Sequence, residues 1–263
     1  MVTDRACNHL DAFAFRAREF PNELYKFCIM IRMRILAVDT SSERGSVCIT
    51  DNDTVLGEIR LASSVQHAER LFRSVEFLLA SLPITLAEID LFVASRGPGS
   101  FTGLRVGLAA MEGFASAHHQ RGAGISTLEA LAWKTGIENE LVASVIDARR
   151  GEVYGGMYRR VSNRLVEERP PVVVKPELWF ASLPDTRIYI CGDGALKYRS
   201  FVNRPGWLFY DMDLYLAVAM AQMAATVHCG PLEPLYVRRT DAETALEARH
   251  DSVAGPSPKS QKV

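Results

Sequence analysis

Two distant stretches of this chain share one pattern, and that pattern limits the fold more than any other feature. Ile35-Leu36-Ala37-Val38-Asp39 is followed by Arg44-Gly45-Ser46-Val47, and Ala143-Ser144-Val145-Ile146-Asp147 is followed by Arg150-Gly151-Glu152-Val153. In each, an apolar strand-like run ends in an aspartate, a polar turn carries Arg-Gly, and a new strand leaves. The natural reading is a duplicated unit with a cleft between its copies.

The first copy is the easier to trace. Residues 34–41, 45–50 and 55–61 are β-rich, and Asp51-Asn52-Asp53 divides the last two, which predicts an antiparallel meander. Helical spacing follows over 65–82, then a strand over 89–94, a glycine-rich turn, a helix over 103–118, a short strand near 123–125 and a helix over 127–135. In the second copy, 153–158, 172–174 and 187–191 read as strands with only short helices between them. A last helix over 214–227 places Leu214, Val218, Ala221 and Ala225 on one core-facing stripe. This predicts an α/β fold with an N-terminal lobe over 33–136 and a reduced C-terminal lobe over 137–240. Met33 begins a strand and reads as a start, which makes 1–32 an extension; the periodicity of 10–20 also suits a helix. Residues 241–263 have the composition of a disordered tail.

Bulk properties exclude several classes of function. The 263 residues carry a formal charge of −1 and are 48% hydrophobic, which suits a globular protein that does not grip nucleic acid unaided. Cys7, Cys28, Cys48, Cys191 and Cys229 are odd in number with no C-x-x-C spacing, so neither a disulfide framework nor a zinc site follows, and a reducing cytoplasm is expected. No apolar run approaches the ~20 residues that span a bilayer.

The chemistry-bearing stretch is Gly97-Pro98-Gly99-Ser100-Phe101-Thr102-Gly103-Leu104-Arg105-Val106-Gly107. It reads as strand, tight turn and helix start, with Ser100 or Thr102 as cap. Two functions fit it. Its backbone N–H groups can converge on a phosphate, with Gly97, Gly99 and Ser100 joined by Asp39, Thr40 and Ser41 from the first strand end and Asp147 from the second. Alternatively, Gly103 and Gly107, one helical turn apart, form a smooth stripe for close packing. Ser100 lacks the G-x-S-x-G context of a nucleophile elbow. His67, His118 and His119 lack the spacing to share a metal.

Taken with Gly192-Asp193-Gly194, this arrangement resembles the nucleotide clefts of the actin, Hsp70 and sugar-kinase (ASKHA) superfamily, a ribonuclease-H-like fold. The resemblance sharpens over Met33-Arg34-Ile35-Leu36-Ala37-Val38-Asp39-Thr40-Ser41, His67-Ala68-Glu69-Arg70-Leu71, the glycine turn, Asp147-Ala148-Arg149-Arg150-Gly151-Glu152-Val153-Tyr154 and Pro234-Leu235-Tyr236-Val237-Arg238. In this order they are similar to the TsaB (YeaZ) family. That resemblance implies a cytoplasmic, non-catalytic subunit in making N6-threonylcarbamoyladenosine beside the anticodon of ANN-reading tRNAs. TsaC makes threonylcarbamoyl-adenylate, TsaD transfers the group, TsaE is an ATPase, and TsaB pairs with TsaD.

TsaD carries an H-x-x-x-H metal motif on the helix after its own Gly-Pro-Gly turn; here Thr127 and Leu131 stand at the two places. Two imidazoles at i and i+4 share a cation, whereas an alcohol and an alkane do not. The resemblance therefore implies no metal and no cofactor of its own, with ATP or ADP given a place only at the partner interface, and tRNA met through the complex. Helix 65–82 carries more apolar residues than one stripe needs, and Ala68, Leu71, Phe72, Val75, Leu78 and Leu79 are expected at that interface with Leu104, Leu108 and Met111. A homodimer through the same helix, when TsaD is absent, and an ATP-dependent transferase or kinase are the competing readings. The glycine turn is weighed mainly as the root of the partner-binding helix.

Overall fold

The structure is a computed structural model that describes residues 32–62, 67–226 and 229–237. The expectations for the N-terminal extension and for the tail from 241 lie outside the described residues.

The first sheet is a meander that acquires a parallel extension. β1 (Arg34–Asp39), β2 (Arg44–Asp51) and β3 (Thr54–Ala62) pair antiparallel, with Ile35 opposite Thr50 and Val38 opposite Val47. β4 (Leu91–Gly97) then pairs parallel with β1, and β5 (Arg121–Ser126) parallel with β4, giving the order β3-β2-β1-β4-β5. β1 is buried along its whole length, as expected of a central strand covered on both faces, and its residues Ile35 to Val38 are β-branched or apolar.

The second sheet repeats this plan. β6 (Leu141–Arg149), β7 (Glu152–Val161) and β8 (Arg164–Val174) form the meander, and β9 (Ile188–Cys191) and β10 (Trp207–Phe209) extend it in parallel. Its order, β10-β9-β6-β7-β8, is that of the first sheet read from the other edge. The chain has a duplicated, ribonuclease-H-like α/β fold. The reduction falls on the helices: α4 (Pro176–Ser182) and α5 (Asp193–Lys197) are short, whereas the sheet is complete. β8 is longer than its apolar end at 172–174 suggests, because its outer half carries the charged run Glu167-Glu168-Arg169 on a partly exposed edge.

Helices sort onto the faces. α1 (His67–Ser81) and α2 (Phe101–Ala117) cover one face of the first sheet, where Leu71, Val75, Leu78, Leu108 and Met111 meet Leu36, Val38, Ile49 and Phe92. Each such side chain, fully buried, contributes about 1.5–3 kcal/mol. The second core sets Trp179 and Phe180 of α4 against Val145, Val153 and Met157; Gly155 lets the indole lie on the strand, since a Cβ there would strike the Trp179 ring. α3 (Thr127–Lys134) packs on strands of both sheets. α6 (Ala217–Thr226) returns from the C-terminal half to lie on the first sheet, its Ala217 N–H donating to Ser46 Oγ at 3.0 Å. No described helix is long and apolar enough to cross a membrane.

Candidate functional site

The ends of β1, β4 and β6 meet at a cleft of about 650 Å³. Ser41, Gly99 and Ser100 line one side, Asp147, Arg149 and Asp193 the other. The two aspartates of the repeated pattern thus part company. Asp147 reaches the cleft, where it accepts from the Arg149 N–H at 3.1 Å and from Lys197 Nζ at 2.9 Å. Asp39 lies beneath the surface at 1% exposure, with one oxygen accepting from the Ser41 N–H at 2.9 Å and Oδ2 without a partner. Burial raises its pKa above the ordinary carboxylate value, against the opposing pull of Ser41, Ser95 and the Lys134 charge. Asp193 is raised by burial too, opposed by the amides of Asp147 and Gly194.

The glycine turn is packed rather than open. The Ser100 N–H donates to Ser41 O at 2.7 Å, the Gly103 N–H to Ser100 Oγ at 3.2 Å, and the Leu104 N–H to Ser100 O at 2.9 Å. Three amides at the start of α2 are therefore already satisfied within the chain. Thr40 Oγ1 donates to Gly103 O at 2.7 Å, and added Cβ atoms at Gly99, Gly103 and Gly107 would strike Ser41 O, Thr40 O and Thr40 Oγ1. The glycines exist so that α2 can lie against the end of β1. Of the residues expected around a phosphate, Ser41, Gly99, Ser100 and Asp147 share the cleft, while Asp39, Thr40 and Gly97 do not line it.

Local patterns also concealed a cluster at the cleft mouth. The Arg105 guanidinium lies 3.8 Å from the Phe101 ring centre and donates to Tyr236 Oη at 3.1 Å, and Phe101 and Tyr236 have ring centres 6.3 Å apart. Tyr236 belongs to a closing segment whose Leu235 N–H donates to Arg96 O at 2.7 Å. The motif was visible in the sequence, but its docking on the glycine turn is a long-range contact.

The expected interface residues divide sharply. Leu71, Val75, Leu78, Leu104, Leu108 and Met111 are at most 6% exposed and belong to the chain's own interior, since two helices on one sheet face need a wider apolar arc than one stripe. Leu79 is half-buried, Phe72 is 49% exposed, and the Ala68 side chain lies outside the described residues. Phe77, which the sequence reading passed over, is 64% exposed. Thr127 and Leu131 are buried, and His118 stacks on Phe92. Among the described residues no group of three or more His, Cys, Asp and Glu is placed to hold a metal.

A family model described as TsaD, tRNA N6-adenosine threonylcarbamoyltransferase, matches residues 58–201. The tRNA threonylcarbamoyladenosine biosynthesis protein TsaB of Escherichia coli is 36% identical over 232 residues, 82% of this chain and 100% of that protein. The chain belongs to the TsaB family. A second TsaB, from Haemophilus influenzae, is 29% identical over 80% of this chain and 95% of its own length. The solved YeaZ from Pseudomonas aeruginosa superposes with a TM-score of 0.68 at 28% identity, covering 78% of this chain and 99% of that one. For a TsaB-family chain, then, the packed glycine turn, the cleft and the exposed phenylalanines are the features that a function has to use.

Proposed function

We propose that this chain is a non-catalytic subunit in the biosynthesis of N6-threonylcarbamoyladenosine, binding TsaD and holding it in a competent state with TsaE as a further partner. The observation that carries the reading is the outer face of α1. Phe72 sits edge-on to Phe114 at 6.1 Å, and Phe114 in turn packs on the buried Phe92 at 6.0 Å, so an exposed ring is braced by a ladder reaching the core. A braced, exposed aromatic loses little entropy on association and buries a large apolar area. Phe77 adds a second exposed ring on the same helix. The interface is therefore centred on Phe72 and Leu79, two helical turns apart on one flank of α1, with Phe77 on the other flank and the buried leucines between them as scaffold.

The names of its relatives support the pathway, and the alcohol and alkane at Thr127 and Leu131 support a role without metal chemistry. A formal charge of −1 supports meeting tRNA through the complex. The same outer face serves a homodimer when TsaD is absent, and ATP or ADP is assigned to the partner interface rather than to this chain alone. Reconstitution with TsaC, TsaD and TsaE tests the role: modified nucleoside is expected to fall sharply without this protein. Full-rate modification in its absence would overturn it.

A second reading rests on the cleft itself, whose volume and neighbouring Asp147 and Asp193 on one wall suit an ATP-dependent transferase. Turnover of ATP by the isolated chain, lost in Asp147→Asn, would favour it.

A further inference from the structure

A second cavity, of about 450 Å³, shares with the cleft only Leu235, Tyr236 and Val237, so the closing segment stands between the two. Its remaining walls include Arg96 on β4, Ser126 at the end of β5, Glu129 on α3 and Glu167 on β8.

The site is built. Gly124 and Gly230 pair through reciprocal N–H to O hydrogen bonds of 2.8 and 3.0 Å, and the Arg96 side chain lies over them. A Cβ at Gly230 would collide with Arg96 Nη1, and one at Gly124 would come within 3.2 Å of Arg96 Cδ. Gly230 thus makes room for the arginine, and Gly124 chiefly for the Pro231 carbonyl oxygen, which a Cβ there would strike.

Polar groups around this cavity are left without partners. Two polar atoms of its walls, Arg96 Nε and Ser126 Oγ, are buried without a hydrogen-bond partner. Ser126 is 5% exposed and lines the cavity directly, with the hydroxyl of the fully buried Tyr158 beside its own. Native interiors leave few such groups, each costing about 1–3 kcal/mol, so two on the walls of one hollow favour a polar occupant. Burial pushes the Glu129 carboxyl above its ordinary range, against the Ser126 backbone N–H and the Arg96 charge, and Glu167 adds to the rise. A cation between the two carboxylates would relieve that penalty. A simple cation would leave the Arg96 guanidinium unpaired and a simple anion would leave the two carboxylates so, whereas a ligand carrying both signs pairs each.

We propose that this cavity binds a small zwitterion of the α-amino-acid class, with its carboxylate on the Arg96 guanidinium, its ammonium between Glu129 and Glu167, and Ser126 Oγ as a further hydrogen-bond partner. Planar guanidinium and carboxylate groups match bidentately, which fixes the orientation of so small a ligand. The inference concerns residues outside the cleft and away from the α1 face, and goes beyond the partner role.

Thermal melting and calorimetric titration of the full chain test it, using a panel of free α-amino acids at millimolar concentration together with the N-acetyl and methyl-ester derivatives of any that bind. At least one free amino acid is expected to raise the melting temperature saturably, and both blocked derivatives to fail. Arg96→Gln and Glu129→Gln should each weaken binding roughly ten- to hundredfold, with the far-UV spectrum unchanged. Should either variant unfold, the exposed rim position Glu167→Gln supplies the same comparison, with a several-fold loss expected. The proposal is overturned if no free amino acid shifts the melting temperature, if blocked derivatives or inorganic phosphate do so equally, or if binding survives in the folded variants.

Discussion

Gly103 and Gly113 stand ten residues apart on α2, and their surroundings predict opposite responses to the same substitution. A Cβ at Gly103 would meet Thr40 O, a backbone atom at the end of a buried strand, whereas one at Gly113 finds nothing within 4 Å. Gly103→Ala is therefore expected to destabilise by about 1–3 kcal/mol through overpacking. Gly113→Ala should stabilise by about 0.4–1 kcal/mol by restricting the unfolded chain. Urea denaturation of the two variants checks the pair, and equal effects would remove the packing argument. Asp39 gives a pH prediction. Its folded pKa is raised, so the stability it allows is fully present below the unfolded value of about 3.8 and is lost as pH rises through the folded value. Asp39→Asn cannot ionise, so as pH rises across this window its unfolding midpoint should gain on that of the wild type. Parallel pH profiles would contradict the burial account.

At the scale of the element, α1 presents two faces with different duties. Leu71, Val75 and Leu78 face inward, and Phe72 and Phe77 outward. Leu71→Ala is expected to cost about 2–5 kcal/mol of stability, as for other large core truncations, and a charged residue there to unfold the isolated chain. Phe77→Ser should change stability by less than about 0.5 kcal/mol, and Phe72→Ser by somewhat more because it forfeits the Phe114 contact. Both outward variants should weaken association with TsaD by about 2 kcal/mol or more while the monomer stays folded. Sedimentation of the mixed proteins and melting of the isolated chain separate these outcomes. Full association by Phe72→Ser, Phe77→Ser double variants would place the interface elsewhere.

Across the whole molecule, the isolated chain at physiological salt is expected to retain no tRNA in filter binding, because a formal charge of −1 supplies little counterion release. Retention that steepens at low salt would reveal a local basic surface. The two sheets also show what kinds of information a sequence holds. The duplication, the strand-end aspartates and the helix after the glycine turn were legible, since each depends on a local period or on the conformational freedom of a few neighbouring residues. The exposed Phe72 was grouped with the buried Leu71 because hydrophobicity alone does not say which side of an amphipathic helix a second helix will cover. Phe77 was missed for the same reason. The strand over Arg164–Val174 was foreshortened because its polar outer half is paired on a partly exposed edge. By itself the sequence determined a duplicated α/β chain and the family to which it belongs, because strand and helix periods and motif order are written in adjacent residues. Only the tertiary structure decided that the glycine turn is filled by Thr40 and Ser41, that Asp39 is buried while Asp147 reaches the cleft, and that Arg96, Ser126, Glu129 and Glu167 surround one cavity. Those outcomes depend on contacts between residues far apart in the chain, and burial is settled only when all the layers have packed.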